Sequence, residues 1–154
     1  DNRTTGATGH QPHPGAFGIT ATGDQTEQLD IAEIVKALKV DMVRVVDPYN
    51  VNETCAAFEE ALNHKGVSVV ICRRVCAVVA ERQRGGLGVY RPQKYMVDQE
   101  MCSACGICVD KLGCPSIILA ERQGKPAIDE STCFGCGVCS QVCPTEAIKI
   151  KSRA

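Results

Sequence analysis

The sequence predicts two units of different class. The first, over residues 1–80, is an α/β piece carrying a parallel sheet. The second, over residues 95–154, is a small α+β unit. A linker at 81–94 joins them. Three observations carry this reading. Helical and strand patterns alternate between residues 29 and 72. A glycine- and proline-rich break follows. Beyond it, a 31-residue internal repeat holds eight of the chain's eleven cysteines.

The first 28 residues carry loop chemistry. Their opening, DNRTTGATGHQPHPG, has three glycines and two histidines before any element that forms a core. Periodicity begins in LDIAEIVKALKV. Ile31, Ile34, Val35 and Leu38 fall at i, i+3, i+4 and i+7, the spacing of an amphipathic helix. Asp30 is its expected N-cap, Glu33 the matching box residue, and Leu29 with Ile34 the hydrophobic staple. MVRVV at 42–46 predicts a short strand, stopped by Asp47-Pro48. A second helix is expected from about Val51 to His64, with Asn50 or Asn52 as cap and Gly66 past its end. VSVVIC at 67–72 predicts the second strand. Helix, strand, helix, strand is the rhythm of parallel α/β structure. Two strands and two helices leave a sheet with open edges and thin cover. We therefore read this unit as the last part of a larger sheet. The chain, which starts at Asp1 without a methionine, then reads as the C-terminal portion of a longer protein.

ERQRGGLGVYRPQKY at 81–95 breaks the pattern and predicts the linker. The repeat follows. YMVDQEMCSACGICV (95–109) matches PAIDESTCFGCGVCS (126–140). In each copy an apolar pair, an Asp and an acidic residue precede Cys-x2-Cys-Gly-x-Cys. Such repetition predicts a duplicated fold of two similar halves.

The formal net charge is −1 over 154 residues. No overall electrostatic pull draws such a chain to nucleic acid or an anionic membrane. Its apolar runs fall well short of the ~20 residues that span a bilayer. Clustered cysteines with no charged-then-apolar leader favour metal ligation over disulfides. A reducing, cytoplasmic location is expected.

The second cysteine run is Cys133-x2-Cys136-x2-Cys139-x3-Cys143-Pro144. The first is Cys102-x2-Cys105-x2-Cys108-x5-Cys114-Pro115. Structural zinc favours paired Cys-x2-4-Cys, four ligands to an ion. Two three-plus-one runs, each ending Cys-Pro, fit that badly. They strongly resemble the bacterial two-cluster ferredoxins, over residues 95–151. In that family the cysteine before proline ligates the other cluster. The resemblance implies one 4Fe-4S cluster on Cys102, Cys105, Cys108 and Cys143. It implies a second on Cys133, Cys136, Cys139 and Cys114. The first run departs from the family in its last spacer, five residues instead of three. Ile107, Val109, Ile117, Ile118, Val138 and Ile148 are the expected dry shell. Cys55 and Cys72 read as small buried hydrophobes. Cys76 follows Arg73 and Arg74, yet reads as structural.

DNRTTGATGHQ resembles the downstream half of the thiamine diphosphate motif in 2-oxoacid:ferredoxin oxidoreductases. TGHQPHPG, the α/β piece and the two cysteine runs are most similar to the indolepyruvate branch of that family, in its α subunit. Residues 1–80 would then be part of a thiamine-diphosphate-binding domain. The resemblance implies that Mg²⁺ takes the Asn2 side chain and the Thr4 carbonyl. Neutral oxygens beside an anionic cofactor suit a hard cation. Gly6 and Gly9 would let the backbone approach phosphate. His10 and His13 are candidate catalytic groups that exchange protons near neutral pH. An ordinary turn for Asn2 and Thr4, and a solvated loop for the histidines, are the plainer alternatives. The sequence has Ala7 where many relatives carry a larger residue.

The resemblance implies oxidative decarboxylation of an aryl 2-oxoacid, indolepyruvate-like, with coenzyme A taking the acyl group and CO2 leaving. Electrons would pass one at a time through two clusters to an external ferredoxin. A smaller β subunit and oxygen sensitivity follow, in an anaerobic organism. This portion alone would be inactive. Pyruvate, phenylglyoxylate or another 2-oxoacid is the alternative substrate. A non-catalytic electron-transfer protein with an N-terminal docking domain is the alternative of another class.

Overall fold

A computed structural model describes residues 1–5, 11, 13–20, 22–82, 93–119 and 124–151. The chain divides into two compact units, residues 1–83 and 84–154.

The first unit holds α1 (Pro14–Phe17), α2 (Ile31–Ala37), β1 (Met42–Val46), α3 (Val51–Asn63), β2 (Ser68–Cys72) and α4 (Ala77–Arg82). Its sheet is parallel, as the alternating pattern predicts, with Met42 opposite Ser68 and Val46 opposite Cys72. Asp30 caps α2 by accepting the Ala32 N–H at 2.8 Å. Asn50 caps α3 by accepting the Glu53 N–H at 3.3 Å. Both caps satisfy donors that a helix start leaves unpaired. Asp47 ends β1 by folding its carboxylate onto the Tyr49 N–H.

Ala32, Met42, Val46, Ala57, Ile71 and Val79 are buried and form the core. The staple is not formed as an apolar seal: Leu29 and Ile34 are about half exposed. Leu38, Phe58, Leu62 and Val67 also face outward. A parallel sheet ordinarily has both faces covered, so this unit exposes surface of the kind such a sheet buries. Cys55, expected to be buried, lies on the exposed side of α3, while Cys72 is half-buried.

Two helices depart from the sequence reading. Pro14 opens the single turn α1 within the expected loop, where its missing N–H costs nothing. Ala77–Arg82 forms α4, so its last two residues are helical where the sequence predicts the linker. Residues 83–92 of the linker lie outside the described residues.

The second unit contains β3 (Tyr95–Val97), α5 (Ile107–Asp110), β4 (Ile117–Leu119), β5 (Pro126–Ile128), α6 (Val138–Gln141) and β6 (Ile148–Ile150). Two antiparallel pairs organise it. β3 pairs with β6, Val97 opposite Ile148, and β4 with β5, Ile117 opposite Ile128. Each half thus reads strand, cysteine turn, short helix, strand, as the repeat predicts. The first strand pairs with the last, which closes the two halves on each other.

Val97, Cys108, Ile117, Cys139 and Ile148 form one buried cluster, with Tyr95, Val109, Leu112 and Ile128 packed on it. Ile117 and Ile148 are therefore core, as expected. Ile118 is 52% exposed and does not join the shell. A strand's side chains alternate faces, and Ile117 takes the inner one. Among the described residues no helix is long and apolar enough to cross a membrane.

Candidate functional site

In the second unit the same device delivers the first cysteine of each run. The Asp98 carboxylate accepts the Glu100 and Met101 N–H groups, and its carbonyl accepts from Cys102 at 3.0 Å. Asp129 repeats this on Ser131, and its carbonyl accepts from Cys133 at 3.1 Å. A hydrogen bond from Lys149 and the Met101 N–H hold the Asp98 carboxyl below its ordinary pKa. The Ser131 hydroxyl and N–H do so for Asp129.

Past the first cysteine the backbone coils through left-handed positions. Ala104 (φ 55°) and Gly106 (φ 76°) in one run match Gly135 (φ 68°) and Gly137 (φ 77°) in the other. The third cysteine of each run then sits one residue into α5 or α6, where Cys108 and Cys139 are buried.

These turns bring the thiols together in two quartets. A cavity of about 220 Å³ has Cys133, Cys136, Cys139 and Cys114 in its wall. The rest of the wall is largely apolar, including Tyr95, Leu112, Ile117, Ile128 and Val138. Burial pushes the Cys139 thiol up to about 12, and the neighbouring Cys136, Cys114 and Cys133 push the same way. Burial likewise raises Cys108, and the neighbouring Cys105, Cys143 and Cys102 push the same way. Each quartet therefore takes three members from one run and its fourth from the other.

Burial also pushes up the Cys143 thiol, but hydrogen bonding to the Thr145 hydroxyl and to the Thr145, Ala147 and Ile148 N–H groups wins and holds it low. The Thr145 hydroxyl oxygen lies 3.7 Å from the Cys143 sulfur. Among the described residues no three His, Cys, Asp or Glu side chains converge tightly enough for a single metal ion. A cubane has the opposite requirement, because it holds its cysteine sulfurs apart around its own volume. Four thiols around an apolar cavity fit such a group.

In the first unit the opening residues lie against the C-terminal end of β2. The Asp1 nitrogen donates to the Cys72 carbonyl at 2.8 Å, Arg74 N–H to the Asp1 carbonyl, and Cys76 N–H to the Asn2 carbonyl. Arg73 N–H meanwhile bonds Val46 of β1, so Asp1 and β1 lie on opposite edges of β2. Ligands of parallel α/β sheets gather outside the carboxyl ends of the strands, and this loop occupies such a place.

The Asp1 side chain, 1% exposed, organises the loop. It accepts from Arg73 Nε at 2.9 Å and from the Arg3 N–H at 3.0 Å, and the Arg3 guanidinium lies 3.6 Å away. That turn holds Arg3 in the left-handed region, φ 56°. Thr4 is buried, with its hydroxyl donating to the Gln11 carbonyl at 2.9 Å. Thr5 pairs with Gln11 across the loop.

Asn2 is exposed. Its side chain makes no hydrogen bond to the described residues, nor does the Thr4 carbonyl accept a backbone one. Two neutral oxygens on a braced loop are a donor set that suits a magnesium ion with its own phosphate and water ligands.

His13 is held through one ring nitrogen. Its Nδ1 accepts the Gly15 N–H at 3.1 Å and so caps α1. A neutral ring bonded this way carries its proton on Nε2, which lies 3.8 Å from Asp1 Oδ1. His10, Gly6 and Gly9 lie outside the described residues, as does Ala7. Beside the loop, Arg3, Gln28, Asp30 and Arg73 line a polar cavity of about 220 Å³. Asp1 and Arg73 were not singled out for these roles from the sequence. An Asp directly before Asn2, and paired arginines after a strand, are the signals that point to them.

Residues 1–72 match the family described as the thiamine pyrophosphate enzyme, C-terminal TPP binding domain. Residues 126–149 match the 4Fe-4S binding domain. Over 149 residues, 97% of its length, the chain is 43% identical to the indolepyruvate oxidoreductase subunit IorA of Archaeoglobus fulgidus. The corresponding subunits of Pyrococcus abyssi and Methanothermobacter thermautotrophicus are 42% and 41% identical over the same length. These alignments cover 23%, 22% and 22% of the relatives, so the chain spans under a quarter of their length.

Proposed function

We propose, from the premise that this chain belongs with the IorA subunits of indolepyruvate oxidoreductases, that it supplies two parts of a 2-oxoacid:ferredoxin oxidoreductase. One part is the downstream half of a thiamine diphosphate site. The other is the electron exit. The observation that carries the reading is the gathering of Cys114 with Cys133, Cys136 and Cys139 around one cavity, matched by Cys143 neighbouring Cys108.

Thiamine diphosphate, when bound, supplies the electron sink for decarboxylation, and 4Fe-4S clusters carry single electrons away. The chain's own residues do the rest. Asn2 and Thr4 present side-chain and carbonyl oxygens to Mg²⁺. Asp1 and Arg73 hold that loop against β2, and Gly6 and Gly9 are residues that would let a backbone approach phosphate. His13 braces the loop, and His10 is the group proposed to exchange protons. Cys102, Cys105, Cys108 and Cys143 hold one cluster, and Cys133, Cys136, Cys139 and Cys114 the other. The apolar residues around each quartet exclude water.

The substrate of the whole enzyme is an aryl 2-oxoacid of the indolepyruvate kind, and coenzyme A accepts the acyl group. A smaller β subunit completes the enzyme, and a cytoplasmic ferredoxin receives the electrons. The expected linker at 81–94, whose first two residues end α4, joins the two parts.

The test uses the intact enzyme, prepared without oxygen. About eight iron atoms in two cubanes are expected on this chain's cysteines. Asn2→Ala is expected to lose thiamine diphosphate and Mg²⁺ while keeping its iron. One tightly bound zinc without iron sinks the cluster assignment. Cofactor retention at the wild-type level in Asn2→Ala sinks the loop assignment and favours a purely electron-transferring chain.

A further inference from the structure

We propose that the two clusters are biased apart by charge. Lys94 favours reduction of the one held by Cys133, Cys136, Cys139 and Cys114, and Asp110 disfavours reduction of the other. This rests on the two-cluster reading above.

The internal repeat makes the asymmetry visible. With an offset of 31 residues, Lys94 corresponds to Lys125, Cys133 to Cys102 (read in the opposite direction), and Gln141 to Asp110. Two equivalent halves would place each lysine on the first cysteine of the opposite run. Lys94 does so: its Nζ donates to the Cys133 carbonyl at 2.5 Å from a half-buried position. Lys125 does not. Its Nζ donates to the Gln99 carbonyl at 2.6 Å, three residues short of Cys102.

The sequence explains the difference. Gly135 leaves room for the chain before Lys94, since a Cβ there would stand 2.1 Å from the Gln93 carbonyl oxygen. The equivalent residue of the first run is Ala104, which already carries that Cβ. Gln99 also ties its turn to the strand beside Lys125, donating to the Pro126 carbonyl at 3.0 Å. Its counterpart Glu130 pairs instead with Lys151.

The short helices differ in the same sense. An Asp110 carboxylate oxygen would lie 2.8 Å from a Cβ on Gly106, within the first cysteine turn. At the matching place Gln141 offers a neutral amide, which donates to the Gly137 carbonyl at 3.3 Å.

Reduction adds an electron to a cluster already ringed by thiolates. An ammonium on a ligand's own peptide stabilises that electron, and a carboxylate at the turn opposes it. Burial around Cys139 acts against Lys94 at the same cluster. The lysine's effect is therefore read on its own removal, not on the order of the two midpoints.

The experiment is an EPR-monitored redox titration of the intact, anaerobically prepared enzyme. Lys94→Gln is expected to lower one midpoint by about tenfold in the reduction equilibrium, about 59 mV for one electron, and to leave the other in place. Lys94→Arg restores it, and Lys125→Gln moves neither. Asp110→Asn raises the other midpoint by a smaller factor, and keeps the bias measurable should Lys94→Gln fail to assemble. Full iron content with both midpoints unmoved in Lys94→Gln and Asp110→Asn overturns the bias alone. An equal shift in Lys125→Gln overturns it as well. A wild-type chain that takes up no iron overturns the two-cluster reading and the bias with it.

Discussion

The buried carboxylate of Asp1 and the Nε of Arg73 stand 2.9 Å apart, and through that pair the first residues of the chain are bound to the end of β2. The same guanidinium reaches Asp30 at 3.1 Å, so the loop and the start of α2 share one cation. Charge-assisted bonds of this kind contribute more than neutral ones.

Asp1→Asn keeps the size of the side chain and removes its charge. One of the two acceptor oxygens becomes an amide donor, so the Arg3 N–H and Arg73 Nε compete for the one that remains and Arg73 loses its counter-charge. We expect the first unit to lose about 2 kcal/mol, in the range of a hydrogen bond to a charged group. Mg²⁺ and thiamine diphosphate should bind several-fold more weakly, with iron content unchanged. Equilibrium dialysis of the intact enzyme measures the binding. Unchanged affinity would show that the Asp1–Arg73 pair serves stability alone.

The crossed quartets predict crossed losses. Cys143→Ser should remove the cluster of Cys102, Cys105 and Cys108, although Cys143 lies in the other run. Cys114→Ser should remove the cluster of Cys133, Cys136 and Cys139. Each variant should retain about four iron atoms, against about eight in the wild type. Spectra in which Cys143→Ser disturbs the cluster of its own run would contradict the crossing.

Among the described glycines, Gly135 is the position where a methyl group is least tolerated. Its φ of 68° is unfavourable for other residues, and the Gln93 carbonyl occupies the space a Cβ needs. Gly135→Ala should cost about 2 kcal/mol or more, combining left-handed strain with a backbone clash. Ala104→Gly, at the matching site, should relieve about 1 kcal/mol of the same strain. Thermal unfolding followed by visible cluster absorbance compares the two. Equal and small effects would refute the steric account.

Asp30 gives the first unit an acid-sensitive cap. The Ala32 N–H, and after it Arg73, hold its pKa below 3.8 in the folded chain. The unfolded state therefore binds its proton first as pH falls. The stability this group adds is complete well above 3.8 and is lost as pH drops through the lowered folded value. Asp30→Asn should flatten that part of the acid unfolding curve, as followed by circular dichroism. A curve identical to wild type would remove Asp30 from the acid response.

Much of the architecture is legible locally. The caps at Asp30 and Asn50, the strands at 42–46 and 68–72, and the repeated Asp-to-cysteine turns all depend on residues within four or five places of one another. Local chemistry was misleading where a face needed a partner. Periodicity marks Ile34 and Leu38 as apolar, and the folded unit leaves both exposed, because amphipathicity names a face without naming what covers it. Ile118 was misjudged similarly: a three-residue strand has too few positions for alternation to show which side is inner.

The sequence by itself determined that eight cysteines would be held in two equivalent turns and that a parallel α/β piece would precede them, because spacing and capping are properties of neighbours along the chain. Only the tertiary structure decided that Asp1 would be buried against Arg73, 72 residues away, and that Lys94 would reach Cys133 while Lys125 fell short of Cys102. Those outcomes depend on which backbone approaches which. A Cβ present at Ala104 and absent at Gly135, and a Gln99 bonded to Pro126 where Glu130 pairs with Lys151, set apart two halves that the repeat makes look alike.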